Sequence, residues 1–227
     1  MDFGKSFTFV FDDEEWITKI GLAGLISLIP LVGQIILLGW GFEVTRRVIN
    51  GDPEPLPDWS DFGGHLMKGF QVFIVALVYM LPIILFQGCA NIPALFIGEG
   101  DDTLVTVLSI LMACFGCITF LYAIFVGLIL PAGIGSFAAK GELKAAFSFG
   151  EIFGLVRDNF GTYALVLLGY LLAGFIGSLG VIACVIGVLF TQAYSIVVNG
   201  HLMGQAYNVA TSGGVVESEE VVPDIDF

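Results

Sequence analysis

The sequence predicts an all-α integral membrane protein, a helical bundle of about six membrane-entering helices. The first observation is composition: of 227 residues, 57% are hydrophobic and 13% are charged, with a mean hydropathy of +0.94. A soluble domain carries about twice that charged fraction, so the bilayer must be the main solvent. The second observation is that several apolar segments reach the length of about 20 residues that a bilayer core requires.

Four segments meet that length, at residues 69–97, 103–130, 160–179 and 181–206. Only Ser178-Leu179-Gly180 separates the last two. We predict a tight hairpin there, because one unbroken helix is far too long for any membrane.

A fifth apolar segment, residues 17–44, is interrupted by Pro30 and Gly33. Proline inside a helix removes a hydrogen bond and clashes with the preceding turn. The segment is therefore either one kinked span or two short helices in a hairpin with both ends on the same side. The hairpin, which we favour, places Lys5 and Lys19 on the same side as the other basic residues.

Basic residues near span ends mark the cytoplasmic side of a membrane protein. They flank two loops of this chain and are absent from the loop at 98–102. We therefore predict that residues 46–68 and 140–157 face the cytoplasm and that both termini are cytoplasmic. The basic anchors of these loops are Arg46, Arg47, Lys68, Lys140, Lys144 and Arg157.

The turn GDPEPLPDWSDFG, residues 51–63, is stiff because three of its residues are prolines, which fix φ. Acidic residues precede several of the apolar segments, where they can cap helices. In particular, Asp12 and Glu15 have the spacing of a capping box. Two tryptophans are expected at the headgroup level of the membrane. The predicted caps and interface anchors are Asp12, Trp16, Asp58, Trp59, Asp101 and Asp158.

Residues 143–158 show helical amphipathicity. We predict an interfacial amphipathic helix in the cytoplasmic headgroup plane, with a partner-binding helix as the alternative. The domain organisation expected is one membrane domain over 1–210 followed by an acidic mobile tail over 211–227.

Catalytic chemistry is not indicated. The firm spans lack the ionisable side chains of proton-coupled or voltage-gated proteins, and no nucleotide-binding, metalloprotease or nucleophile-elbow motif is present. Cys114 and Cys117 form a CxxC in an apolar segment, which indicates buried thiols. The formal charge of −13 argues against a nucleic-acid partner. We therefore expect no enzyme activity, no cofactor and no metal.

Two sets of residues remain as candidates for contacts inside the bilayer. Gly169, Ala173 and Gly177 form a small-residue stripe for close helix packing, within the chain or between copies. A second set of polar residues either hydrogen-bonds across helices or lines a path for a neutral solute. The possible path residues are Gln34, Gln87, Asn91, Gln192, Asn199 and His201.

Several motifs resemble those of a family of bacterial and archaeal polytopic membrane proteins known only as a domain of unknown function. They are the start FxFxFDDxxWxxKI, the turn RRVINGDPEPLPDW and the ending HLMGQAY, spread over Phe7 to Tyr207. The resemblance implies a multi-helix fold in the prokaryotic cell membrane and carries over no catalytic residues. The hydrophobic layout is also loosely similar to the membrane domains of some glycerophosphodiester phosphodiesterases.

The functional expectation is a non-enzymatic scaffold or accessory subunit of a larger membrane complex. Its partners are then membrane lipids and either other membrane subunits or a second copy of the chain. The alternative is a permeation or lipid-handling protein for a neutral solute or lipid.

Overall fold

The computed structural model describes residues 1–91 and 102–216, and all regular elements in that part are helical. Short 3₁₀ turns follow α1, precede α6 and join α7 to α8. The helices are α1 (Lys5–Thr8), α2 (Trp16–Ser27), α3 (Val32–Ile49), α4 (Phe62–Asn91), α5 (Asp102–Lys140), α6 (Phe149–Asp158), α7 (Phe160–Leu179) and α8 (Cys184–Val216).

Three of the described helices contain a stretch that is long and apolar enough to cross a membrane, by length and composition. These stretches are Phe62–Cys89, Thr103–Lys140 and Phe160–Leu179. No stretch in the described part of α8, where a fourth span was expected, is among them. The chain is thus compatible with a membrane protein, and the expected count of about six membrane-entering helices is not confirmed.

The two longest helices extend beyond the thickness of a bilayer core. With a rise of about 1.5 Å per residue, α4 is roughly 45 Å long and α5 roughly 58 Å, against a core of about 30 Å. Pro82 and Pro131 lie inside these helices rather than at their ends. The predicted segments 69–97 and 103–130 overlap the apolar stretches Phe62–Cys89 and Thr103–Lys140, and residues 92–97 of the first lie outside the described residues.

Residues 17–44 form the broken helix pair rather than one span. The break lies between α2 and α3, where Leu31 has a positive φ (φ 61°, ψ −62°) and the N–H of Val32 donates to the carbonyl oxygen of Pro30 at 2.7 Å. The start of α2 meets the turn that follows α3, because Trp59 Nε1 donates to the carbonyl oxygen of Lys19 at 3.0 Å and Lys19 Nζ donates to that of Leu56 at 3.3 Å. The outer ends of both helices therefore lie on the same side, which is the hairpin geometry.

The interior consists of two neighbouring clusters of buried apolar side chains. The larger cluster joins α3, α4, α5, α7 and α8 and includes Phe137, Tyr163 and Leu202. The second cluster surrounds Trp40 and includes Phe9 and Val10, which precede α2. The N-terminal segment is therefore part of the core.

Glycines allow two close helix contacts. A Cβ added at Gly39 or Gly69 falls within 3.0 Å of backbone atoms across the α3–α4 contact. The predicted stripe of Gly169, Ala173 and Gly177 is buried against α8, where Ser195 Oγ donates to the carbonyl oxygen of Ala173 at 2.6 Å. The stripe thus serves a contact within the chain, which the sequence left undecided, and the α3–α4 pair was not predicted.

The prediction of a single helix over 143–158 is wrong. Leu143–Phe147 is a 3₁₀ turn, and Ser148 (φ −76°, ψ 66°) separates it from α6. The amphipathic face of α6 is also divided: Ile152 and Val156 are buried, while Phe149 and Phe153 are more than half exposed. Ser148 interrupts the helix because its backbone leaves the helical region.

The expected domain boundary at residue 210 falls inside α8, which continues to Val216. Residues 217–227 of the acidic tail lie outside the described residues, as do Asp101 and the rest of the loop at 98–101. The side chain of Asn91 also lies outside the described part.

Candidate functional site

Three distant parts of the chain meet at one end of the bundle and enclose a crevice of about 480 Å³. They are the N-terminal segment 1–13, the proline-rich turn after α3, and the stretch of α8 from His201 onward. Each of these parts contributes one of the sequence motifs described above. The motifs therefore build one site rather than three.

Side chains of α8 hold the N-terminal segment in place. Gln205 exchanges two hydrogen bonds with the backbone of Asp2, at 2.7 and 3.0 Å. Ser6 Oγ and His201 Nδ1 share a hydrogen bond at 3.0 Å, and the ring of Phe9 stacks on His201 with centroids 4.3 Å apart. Tyr194 donates to the carbonyl oxygen of Phe7 at 2.6 Å. We call these contacts the clamp on the N-terminal segment. His201 and Gln205 of the HLMGQAY ending belong to it, together with Tyr194.

The proline-rich turn is fixed by indole rings. Trp40 Nε1 donates to the carbonyl oxygen of Pro57 at 3.0 Å, and the Trp40 and Trp59 rings stack 4.9 Å apart. Asn208 Nδ2 donates to the carbonyl oxygen of Val48 at 3.0 Å, which ties the end of α3 to α8. Both the ring face and the N–H of Trp59 have partners within the chain, and its predicted place at the headgroup level stays a prediction.

The acidic side chains play different roles from those predicted. Glu15, not Asp12, occupies the N-cap position of α2, and its side chain makes no capping hydrogen bond. Asp12 instead pairs with Lys5. At α4 the cap is Asp61, whose Oδ1 accepts from the backbone N–H of Gly64 at 2.8 Å.

Two further predicted caps are corrected in the same way. Asp58 accepts from the N–H and the hydroxyl of Ser60, and these hydrogen bonds lower its pKa. Asp158 ends α6 and pairs with Arg157 at 2.9 Å, while Asn159 occupies the N-cap of α7 without a side-chain capping bond. Prediction failed at these sites because several acids compete for one cap, and only the local backbone decides between them.

The crevice is rich in acidic side chains. Asp13 pairs with Lys19 at 2.6 Å, and Asp12 with Lys5 at 2.5 Å. Asp2, Asp52 and Glu54 also line it. In the described part of the chain, no group of three His, Cys, Asp or Glu side chains is arranged to hold a metal ion. The crevice is the junction at which hydrogen bonds and ion pairs join the N-terminal segment, the turn after α3 and α8.

The basic residues predicted as anchors pair with nearby groups. Glu43 binds Arg46 through two hydrogen bonds and also contacts Arg47, as the i,i+3 and i,i+4 spacing predicts. Lys68 Nζ lies 5.4 Å from the centre of the Phe137 ring. Lys140 pairs with Glu151, Lys144 with Glu142 and Arg157 with Asp158.

The residues proposed for a polar path are not in one place. Gln34 and Gln192 line the same cavity of about 210 Å³, whereas Asn199 lines another of about 200 Å³. His201 belongs to the crevice, and Gln87 lines none of these three cavities. Among the members of the set whose side chains are described, the structure brings one pair together and does not form a single path.

The described elements are helical, and three of them contain apolar stretches long enough to cross a membrane. The chain belongs to the family described as "Protein of unknown function (DUF4013)", whose sequence profile matches residues 22–186. This match confirms the resemblance to a domain of unknown function over a shorter range than Phe7 to Tyr207. No curated protein and no solved structure matches the chain.

Proposed function

We propose that this chain is a multi-pass protein of the prokaryotic cell membrane that acts as a non-enzymatic scaffold or accessory subunit of a larger complex. The observation that carries the proposal is the exposure of α5. None of the residues in its most apolar 18-residue window is buried within the chain. This part of α5 has its surface free for lipid and for other helices, whereas the last part of the helix, which includes Phe137, packs in the core.

One face of α5 has the spacing of a helix-packing seam. Exposed residues occupy all sides of this part of α5. The members of one set of them are separated alternately by three and four positions, the repeat of paired helices. They are Val107, Ile110, Cys114, Cys117, Leu121 and Ile124. Cys114 and Cys117, predicted as buried thiols, are free and exposed on this face. We infer that a helix of another membrane subunit, or of a second copy, lies along this seam.

The membrane topology of the proposal follows the positive-inside rule. The α2–α3 hairpin enters from the cytoplasmic side, which agrees with the contact between the start of α2 and the turn after α3. The junction at the crevice and α6 then lie at the cytoplasmic surface, together with both termini. The stiff, tied turn presents a fixed surface there.

Extraction of the native protein in a gentle detergent, followed by sizing and mass spectrometry, tests the scaffold function. We expect a particle larger than a monomer that contains a reproducible set of other membrane proteins or further copies of the chain. An isolated monomer, obtained at every detergent concentration that preserves the fold, would contradict the proposal.

A second candidate function is permeation or lipid handling. It is supported by the cavity that Gln34 and Gln192 share between α3 and α8, because a pair of amides can bind a neutral polar solute. The test is flux or lipid scrambling in proteoliposomes. The Gln192→Leu variant should reduce a genuine flux, whereas rates equal to those of empty liposomes exclude this function.

A further inference from the structure

A small cavity lies where five helices meet, apart from the crevice and from the α5 seam. It has a volume of about 200 Å³, and α3, α4, α5, α7 and α8 all contribute to its wall. Most of the lining is apolar, including Phe42, Val72, Ile134 and Met203, and the polar side chains in it are Tyr170 and Asn199.

Asn199 differs from several other polar residues of α8. Thr191 Oγ1 donates to the carbonyl oxygen of Gly177 at 2.9 Å, Ser195 Oγ donates to that of Ala173, and Gln205 bonds Asp2. By contrast, the buried Oδ1 of Asn199 has no hydrogen-bond partner among the described residues. A buried acceptor without a partner costs folding free energy, so native structures keep one where a water, an ion or a ligand satisfies it.

The side chain of Tyr170 lines the same cavity. The cavity thus offers one acceptor and one hydroxyl in otherwise apolar walls. A single water fills about 30 Å³ and needs two to four polar partners. The space is larger than one water requires, and its walls offer too few polar groups for a cluster of them.

We propose that this cavity binds an alkyl alcohol, either free or as the hydroxyl-bearing end of a neutral lipid. The alcohol O–H donates to Asn199 Oδ1, the Tyr170 hydroxyl donates to the alcohol oxygen, and the alkyl chain contacts Phe42, Val72 and Ile134. This site is independent of the proposed scaffold function, because it uses neither the α5 seam nor any partner protein.

The test is photolabelling of the purified full chain in liposomes with a diazirine-bearing octanol, with mass spectrometry to locate the label. We expect saturable labelling of peptides that line the cavity, and competition by 1-octanol but not by octane. Competition by monoolein identifies a lipid hydroxyl as the source, and its absence restricts the site to free alcohols.

Asn199→Leu should weaken the binding of 1-octanol by about tenfold, because it removes the acceptor and keeps the volume. Phe190→Leu is the matched control, since Phe190 lies on the same helix, is exposed and lines none of the three cavities described above. Val72→Phe, which fills the cavity and leaves Asn199 in place, should also reduce labelling and serves if Asn199→Leu fails to fold. Equal competition by octane, or undiminished labelling of a folded Asn199→Leu or Val72→Phe protein, would overturn the proposal.

Discussion

Individual side chains at the crevice link the first residues of the chain to the last helix. His201 is buried between Ser6 and Phe9, and Gln205 donates to its Nδ1 at 3.1 Å. Imidazole serves here because it combines a flat apolar face for Phe9 with a ring nitrogen for hydrogen bonds. The role assigned to His201 is therefore to position the N-terminal segment.

The first prediction concerns that clamp. His201→Ala should release the segment, because it removes the stacking on Phe9 and the hydrogen bond of Ser6, and it should lower stability by about 1–3 kcal/mol. The reporter is Val10→Cys in a background without the native cysteines, since Val10 is fully buried. We expect its maleimide reaction to accelerate in the His201→Ala protein.

The control for the clamp is Gln192→Ala on the same helix, which should leave the reactivity of the Val10→Cys reporter unchanged. A segment that stays protected after His201→Ala would show that the apolar contacts of Phe9 and Val10 alone hold it.

At the scale of elements, the packing of α3 on α4 depends on two glycines that the sequence did not single out. They are 30 positions apart, and nothing in the local pattern around either one indicates that their helices cross. The stripe of Gly169, Ala173 and Gly177 was visible because its members share one helix. A contact between residues on two helices requires knowledge of the crossing, which only the folded chain provides.

The second prediction is that Gly69→Ala destabilises the protein by about 1–3 kcal/mol or more, because the new methyl group overlaps the carbonyl oxygen of Ile35. Gly88→Ala is the control on the same helix, since a Cβ at Gly88 meets nothing within 4 Å. Thermal unfolding in one detergent measures both. Equal melting temperatures would contradict the close α3–α4 contact.

The third prediction concerns α6, whose Phe149 and Phe153 remain exposed although Ile152 and Val156 are buried. Exposed aromatic rings beside a buried face are typical of a helix that lies at the membrane surface. A spin label at Phe153→Cys in reconstituted protein should be more accessible to oxygen than to a polar relaxation agent. The same label at Arg157→Cys should show the opposite preference, and identical values would place α6 in water.

For the molecule as a whole, composition was sufficient to predict the helical class and the main apolar helices. The membrane-like helices follow from solvent preference, which each residue carries by itself. The caps, the break at Ser148 and the joint crevice depend on backbone geometry and on contacts between residues far apart in the chain. The motifs could therefore be recognised in the sequence, whereas their meeting at one crevice could not be predicted from it.

For the assembly, we propose that another helix covers the exposed seam of α5. The most direct measurement is photo-crosslinking from Cys117 in native membranes, in a chain whose other cysteines are alanine and with a benzophenone maleimide as the reagent. The control replaces Cys117 as well and labels Ile118→Cys, which is exposed next to the seam. We expect a discrete protein adduct from Cys117 and a much weaker one from Ile118→Cys, whereas lipid adducts alone from both positions would contradict a helix at the seam.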